Sequence, residues 1–472
     1  MPSPGLPRTK IVATIGPACD GAPILDQMVA AGLSVARINL AHGTRDDHRR
    51  YVAAVRAAAQ RAKRAVAIMV DLAGPKIRIG ELQGGKVTLD PGQRLRLTTE
   101  RVMGDRSRIS VTEASLPRDV RAGDPIFLAD GTLELLVRGV RGTEIECEVI
   151  TGGPLLPAKG VNLPRTRLRL PALTAKDRRD LTHVLKLGVD AIALSFVRNV
   201  ADIERVRKLL GRRRIPVIAK IEKREAIEAL DPILDAADGA MVARGDLAVE
   251  TSLEELPLLQ KSIIRHANDA GKPVITATQM LLSMVEQERP TRAEAADIAN
   301  AILDGTDAVM LSEETARGRH PAKAVETMAR IALHAEAGIE PERFRRRTER
   351  HAWIASAVSE AAVEVARQVG AKAIVTPTYA GATPRFVARL RPRMPVVALS
   401  EDAAAIQFLC FSWGVQPVHH RRLGSFDATL KAAGDQLRRL GLARAGDRYV
   451  VTASYPRQNT SNLMSVQILG PK

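Results

Sequence analysis

Cysteine is nearly absent. Cys19, Cys147 and Cys410 are the only three in 472 residues, and no two of them form a Cys-x-x-Cys pair. Neither a disulfide framework nor a cysteine-based zinc site is signalled. Aromatic residues make up only 3%, which leaves few platforms on which the bases of a single strand would stack. That scarcity matters because 70 Lys and Arg against 53 Asp and Glu give a formal charge of +17, a balance that invites a nucleic-acid reading. The arginines are spread along helical stretches such as Arg205–Arg214 and Arg421–Arg439, without a recognisable nucleic-acid module. An Arg-rich surface that steers polyanionic substrates inward is the simpler account. No apolar run reaches the ~18–20 residues of a membrane span. Pro2, Pro4 and Pro7 precede Lys10 where the apolar core of a signal peptide would stand, so a cytoplasmic protein is expected. No Gly-x-x-x-x-Gly-Lys loop occurs, which excludes a P-loop mechanism.

What is present is alternation. From Lys10 to about Glu336, apolar β-branched runs alternate with amphipathic helical patterns, as in repeated βα units around a parallel sheet. The expected strands are Lys10–Ile15, Val35–Leu40, Val66–Asp71, Asp190–Phe196, Pro216–Glu222, Gly239–Asp246, Pro273–Thr278 and Asp307–Ser312. Eight such units fit a (β/α)8 TIM barrel, whose chemistry sits at the C-terminal ends of the strands. Glu81 to about Arg167 breaks the pattern with short strand-like segments and no convincing helix, and reads as an inserted small β-barrel lid domain. The basic run Arg343–Arg350 reads as a solvated linker. Beyond it a C-terminal α/β domain follows, with helices Ser356–Gly370 and Asp427–Leu440 and strands Ala373–Thr376, Val396–Leu399, Tyr449–Ala453 and Ser465–Leu469. The expected division is 1–80 and 168–340 for the barrel, 81–167 for the lid and 351–472 for the C-terminal regulatory or oligomerisation domain.

Polar residues gather where those strands end. Side chains two apart on a strand share a face, so Lys220 and Glu222 are expected to project together, as are Arg244 and Asp246. A cation and two carboxylates at the mouth of a parallel sheet suit a divalent metal and a phosphate. Gly245 lacks a side chain, so a substrate oxygen can approach its backbone. Arg37, Asn39, Asp71, Thr278 and Ser312 occupy the other strand ends.

The chain resembles the pyruvate kinase family nearly end to end. The segments that carry the likeness are Arg8–Pro17, Ala36–Gly43, Lys159–Pro164, Val217–Glu222, Met241–Leu247, Ala277–Met280, Arg289–Glu294 and Met310–Thr315. The resemblance implies phosphoryl transfer from phosphoenolpyruvate to ADP, giving pyruvate and ATP, in a homotetramer. It implies that Glu222 and Asp246 hold Mg2+ (Mn2+ is an alternative). Lys220 would stabilise the transferring phosphoryl and the enolate, and Arg37 would grip the phosphate. The backbone of Gly245 and Asp246 would meet the substrate carboxylate. Thr278 would help protonate the enolate through water, supported by Ser312 and Glu314. Asn39, His42, Arg78 and Lys159 match nucleotide-side positions, with Lys159 at the hinge of a closing lid.

Plainer roles stay open for several of these residues: ion pairing for the carboxylates and Arg37, packing for Ser312 and Glu314, capping for His42. Three departures stand out, namely Ala41 for a common Ser, Ala73 for a Lys and Glu313 for a Gly. Lys76, expected near Asn39, Asp71 and Leu72, resembles the subgroup that needs no K+, its ammonium replacing the ion. An exposed hinge charge is the alternative. In Thr378–Thr383, where relatives bind sugar phosphates, Ala380 replaces a hydroxyl, so weak effector response is expected. The rival readings are a catalytically repurposed phosphosugar-sensing scaffold and the nucleic-acid binder already weighed.

Overall fold

The apolar runs become strands because both of their faces are covered. In a computed structural model, which describes residues 5–164, 166, 168–344, 354–420, 425–454 and 461–471, eight parallel strands close a barrel. They are Lys10–Thr14, Leu33–Asn39, Ala67–Asp71, Ala191–Leu194, Val217–Ile221, Gly239–Ala243, Val274–Ala277 and Ala308–Leu311. Closure is made by the first strand, which pairs with the second and with the eighth. Outward-facing residues such as Ile11, Ile38, Ile68, Ile192 and Val242 are buried against the surrounding helices. Val12, Val35, Met69, Ile218, Met241 and Ile275 fill the interior, as expected of a packed TIM core.

Three barrel helices start with a reciprocal capping box: Thr44 with Asp47, Thr174 with Asp177, and Thr291 with Glu294. Each satisfies backbone N–H groups that the first helical turn leaves without partners. Part of the segment Arg289–Glu294 therefore serves helix initiation.

Several expected strands end early, and at Gly239–Asp246 the difference changes the site. Gly239–Ala243 stops where the helix Arg244–Glu250 begins, so Arg244 and Asp246 do not share a strand face.

The insertion after the third strand is β-rich. Six strands in the order Val161–Asn162, Pro125–Leu128, Leu133–Arg141, Glu144–Thr151, Arg94–Thr98 and Arg108–Ser110 form one sheet, and Gly153–Leu155 pairs with Val87–Leu89. A four-residue helix, Leu116–Asp119, corrects the helix-free reading. The unit is joined to the barrel by two crossing segments, with Ile79 N donating to Lys159 O at 3.0 Å and Val161 N to Ile77 O at 2.9 Å.

The C-terminal sheet has five strands, ordered Val415–His419, Val396–Ser400, Ile374–Pro377, Arg448–Ala453 and Leu463–Ile468, the last pair antiparallel. It is docked under the barrel's N-terminal end. Phe408, Cys410 and Phe411 pack against the interior residues and form the barrel floor. Beside them Arg391, fully buried, donates to Asp307 Oδ1 at 3.2 Å, Asn268 Oδ1 at 3.3 Å, Ala388 O at 2.9 Å and Gly305 O. It also lies 5.1 Å from the ring centre of Trp413 and 5.6 Å from that of Phe344. Most of the basic run Arg343–Arg350 lies outside the described residues, as does the start of Arg421–Arg439. Among the described residues, no helix is long and apolar enough to cross a membrane.

Candidate active site

Strand geometry brings Lys220 and Glu222 together at the barrel mouth, as their spacing predicts. Lys220 Nζ lies 3.3 Å from Glu222 Oε2 and 3.5 Å from Asp71 Oδ1, and donates to Ser195 Oγ at 2.6 Å. Burial disfavours the ammonium, but Asp71 and Glu222 outweigh that effect and its pKa is raised. Asp71, also buried, is held below its ordinary value because Lys220 and Arg37 overcome the desolvation. Arg37 turns its fork onto Asp71, with Nε and Nη2 each 2.8 Å from Oδ2, and Nη1 donates to Thr14 Oγ1 at 2.9 Å. The interstrand ion pair left open for Arg37 is thus present.

Glu222 is fully buried. Its Oε1 accepts from Phe196 N at 2.6 Å, whereas Oε2 has no hydrogen-bond partner. Burial pushes its pKa up, with the Lys220 charge opposing. The Lys220 ammonium 3.3 Å away meets the charge of that oxygen, and its lone pairs without a hydrogen-bond donor leave room for a further cation. Phe196, with φ 56°, holds the left-handed turn that aims its N–H at Glu222. Gly74 must stay glycine beneath it, since a Cβ there would meet Phe196 Cδ2 at 2.5 Å.

Asp246 lies in the first turn of the helix Arg244–Glu250, and its Oδ1 is 3.5 Å from Lys76 Nζ. Lys76 is therefore brought to the second candidate metal ligand, while Asp71 pairs with Arg37 and Lys220. Thr278 carries the least ordinary backbone, with φ 71°, followed by Gln279 at 53°. A β-branched residue there stores strain of about 1–3 kcal/mol, which persists only where the surroundings enforce it. Its Oγ1 donates to Ala277 O at 2.6 Å and accepts from Gly245 N at 2.9 Å, so the Gly245 N–H expected to meet a substrate carboxylate is capped by Thr278. Arg244 runs away from Asp246 to the carbonyls of Ala277 and Thr278 and to Asp297. Glu314 is a backbone clamp: Oε1 accepts from Leu281 N at 3.1 Å and Oε2 from Ser312 N at 2.7 Å.

The nucleotide-side residues border this centre. Asn39 Oδ1 accepts from Ala41 N at 3.1 Å, and His42 N donates to Asn39 O at 3.2 Å. His42 has its pKa lowered, first by burial and then by Arg78 and Arg37. Arg78 bridges to Gly160 beside Lys159, and its Nη1 donates to Ala158 O at 2.8 Å. In the C-terminal segment, Thr378 Oγ1 accepts from Gly381 N at 2.9 Å and Thr383 Oγ1 bonds Ser461 Oγ at 2.7 Å.

Residues 6–325 match the family described as pyruvate kinase, barrel domain, and residues 356–467 match pyruvate kinase, alpha/beta domain. This chain belongs to the pyruvate kinase family. It is 44% identical to the pyruvate kinase of Geobacillus stearothermophilus over 471 residues, 98% of this chain and 80% of that one. It is also 44% identical to that of Corynebacterium glutamicum, with 98% of each chain covered. A crystal structure of a pyruvate kinase from Cryptosporidium parvum superposes with a TM-score of 0.93 at 35% identity, covering 98% of this chain and 96% of that one.

Family membership makes the chain a phosphotransferase that requires a divalent metal. Among the described residues no cluster of three or more His, Cys, Asp or Glu is arranged to hold one. The two carboxylates suit a hard cation that keeps several waters, and the orphaned Glu222 Oε2 fits it. Sequence reasoning passed over Ser195, Phe196 and Thr14. Ser195 stood at an expected strand end, so its position was the available signal; the left-handed turn of Phe196 had none.

Proposed function

We propose that this chain transfers the phosphoryl group of phosphoenolpyruvate to ADP, as a pyruvate kinase of the cytoplasm that assembles as a homotetramer. The observation that carries this reading is the Lys220 ammonium, held at the strand ends by Ser195, Asp71 and Glu222, whose Oε2 faces that charge at 3.3 Å but has no hydrogen-bond donor. In the reaction the enol O–P bond breaks and a new O–P bond forms to the terminal phosphate of ADP. Lys220 faces the phosphoryl oxygens and then the enolate oxygen, where a preorganised charge is most effective. Arg37 supports it with a planar fork suited to phosphate. Glu222 and Asp246 are the residues that would hold Mg2+, which when bound would supply positive charge to the transferring group. Thr278 then relays a proton to the enolate carbon through a water, its hydroxyl taking one from solvent as it gives one up, and the new C–H bond completes pyruvate. Substrate binding displaces Thr278 Oγ1 from Gly245 N, which frees both groups for their tasks. Arg78 and Lys159, on the two segments joining the lid, approach the nucleotide as the lid closes.

K+ is not required in this reading. A K+ site would draw on Asp71, whose charge is already taken up by Arg37 and Lys220, and Ala41 has no side-chain oxygen to give. Lys76 adds an ammonium at the mouth, 3.5 Å from Asp246 Oδ1, and a positive charge there disfavours a further monovalent cation nearby. Thr378 and Thr383 are engaged internally, which favours a weak sugar-phosphate response. The test is a lactate-dehydrogenase-coupled assay with phosphoenolpyruvate, ADP and Mg2+. Turnover well above that of a Lys220→Met control is expected, and turnover equal to that control would leave the scaffold reading in its place.

A further inference from the structure

We propose that Arg244 is a positioning residue for the protonation half of the reaction, holding the strained turn that carries Thr278. The inference rests on the function proposed above. Arg244 is buried, and its guanidinium takes two consecutive carbonyls: Nε donates to Ala277 O at 3.1 Å and Nη2 to Thr278 O at 2.6 Å. Those carbonyls flank the residue with φ 71°, and the next residue, Gln279, is also left-handed at 53°. A guanidinium presents its donors in a rigid plane, so two bonds fix the orientation of the turn as well as its position.

The fork is itself held from behind. Nη1 donates to Asp297 Oδ2 at 2.6 Å, from the helix Arg292–Leu303, and to Gln260 Oε1 at 3.4 Å, from the helix Leu256–Asp269. The backbone of Arg244 starts the helix turn that presents Gly245 and Asp246, and Gly245 N meets Thr278 Oγ1 at 2.9 Å. One residue thus ties the expected carboxylate cradle to the hydroxyl that passes the proton. None of its hydrogen bonds or ion pairs reaches Lys220 or Glu222. Loss of the fork lets Thr278 relax toward ordinary φ and moves its hydroxyl, leaving the phosphoryl clamp in place.

The experiment compares Arg244→Gln and Arg244→Lys with the wild type. It reads kcat, KM for phosphoenolpyruvate, the solvent deuterium isotope effect on kcat, and exchange of the methyl protons of pyruvate in D2O with Mg2+ and ATP. A misplacement of about 1 Å costs roughly a hundredfold, so Arg244→Gln is expected to slow methyl-proton exchange by about that factor. KM should hold and the isotope effect should rise. Arg244→Lys, with one compact donor group, is expected to recover part of the exchange. Asp297→Asn, which loosens the fork from outside the site, is expected to show the same pattern to a smaller degree and serves if Arg244→Gln fails to fold. Unchanged exchange in the folded variants, or a parallel fall of every quantity with an unaltered isotope effect, would overturn the proposal. Absence of phosphoenolpyruvate turnover in the wild type would instead sink the function on which it rests.

Discussion

At the barrel mouth Glu222 is fully buried with one oxygen lacking a hydrogen-bond partner, and its pKa is driven up. At the opposite end Arg391, equally buried, donates to two side-chain oxygens and two carbonyls and lies against two aromatic rings. Both ends place charge out of water, where an unpaired ion is expensive. The floor meets both Nη atoms of Arg391 with four acceptors from the chain itself and leaves only Nε without one, whereas at the mouth Glu222 Oε2 has the Lys220 charge at 3.3 Å but no hydrogen-bond donor. The difference separates charge that holds the C-terminal domain to the barrel from charge that awaits a ligand. Substitutions at the two ends should therefore be read out by different measurements.

The largest effect is expected at the mouth. Lys220→Met should lower kcat by at least about a thousandfold, the upper range for removing one preorganised charge from a transition state. The coupled assay reads it directly, and activity within tenfold of wild type, about 1.4 kcal/mol, would break the comparison at its strongest point. At the floor, Arg391→Met leaves Asp307 without its cation and should cost about 3–5 kcal/mol of stability. Urea unfolding would register that loss while the folded fraction keeps its kcat; a variant as stable as wild type would show that the floor charges are dispensable.

Glu222→Gln sharpens the contrast. It should lower the rate about a hundredfold, some 3 kcal/mol, and weaken Mg2+ binding. The change removes a carboxylate that burial disfavours but also one of the two counter-charges of Lys220, with Asp71 remaining, so the thermal midpoint should change little. A clear fall in that midpoint would mean that Glu222 is structural.

Lys10 offers a smaller, pH-dependent test of the floor. Its ammonium donates to Val415 O at 2.7 Å, and burial pushes its pKa down to about 8. Between pH 8 and the ordinary lysine value of 10.5 the unfolded chain holds a proton there that the folded chain has released. Stability attributable to Lys10 therefore rises with pH through that window and is lost as pH falls through 8. The stability difference between wild type and Lys10→Met should shift in favour of wild type from pH 8 to 10.5, and a flat difference would place the ammonium in water. The smallest effect expected is that of K+: exchanging it for Na+ at matched ionic strength should change activity by less than about tenfold.

Much of this contrast was legible in the sequence because buried parallel strands are continuous apolar runs. Lys220 and Glu222 close such a run, and spacing alone put them together. The same reasoning failed two strands' length away. Val-Ala-Arg-Gly-Asp reads as one strand, yet the chain turns into a helix at Arg244, and no pattern of residues marks that corner. Ser195 and Phe196 escaped because their roles depend on a left-handed turn and a partner strand. The strand Val415–His419 was missed because Gln416 and Pro417 interrupt its apolar pattern. At the floor, Arg391 looked like one surface arginine among many, and only the docking of two domains buries it.

The floor also imposes an order of manufacture. Phe408, Cys410 and Phe411, which close the barrel from below, are encoded roughly 100 residues after its last strand, an interval of about 5–20 s at ordinary rates of synthesis. During that interval a nascent barrel carries Val12, Val35, Ala67, Ile218 and Met241 with nothing beneath them. A ribosome stalled in the segment between the barrel and the C-terminal sheet would hold a chain whose apolar underside is open to chaperones, or to other unfinished copies of itself.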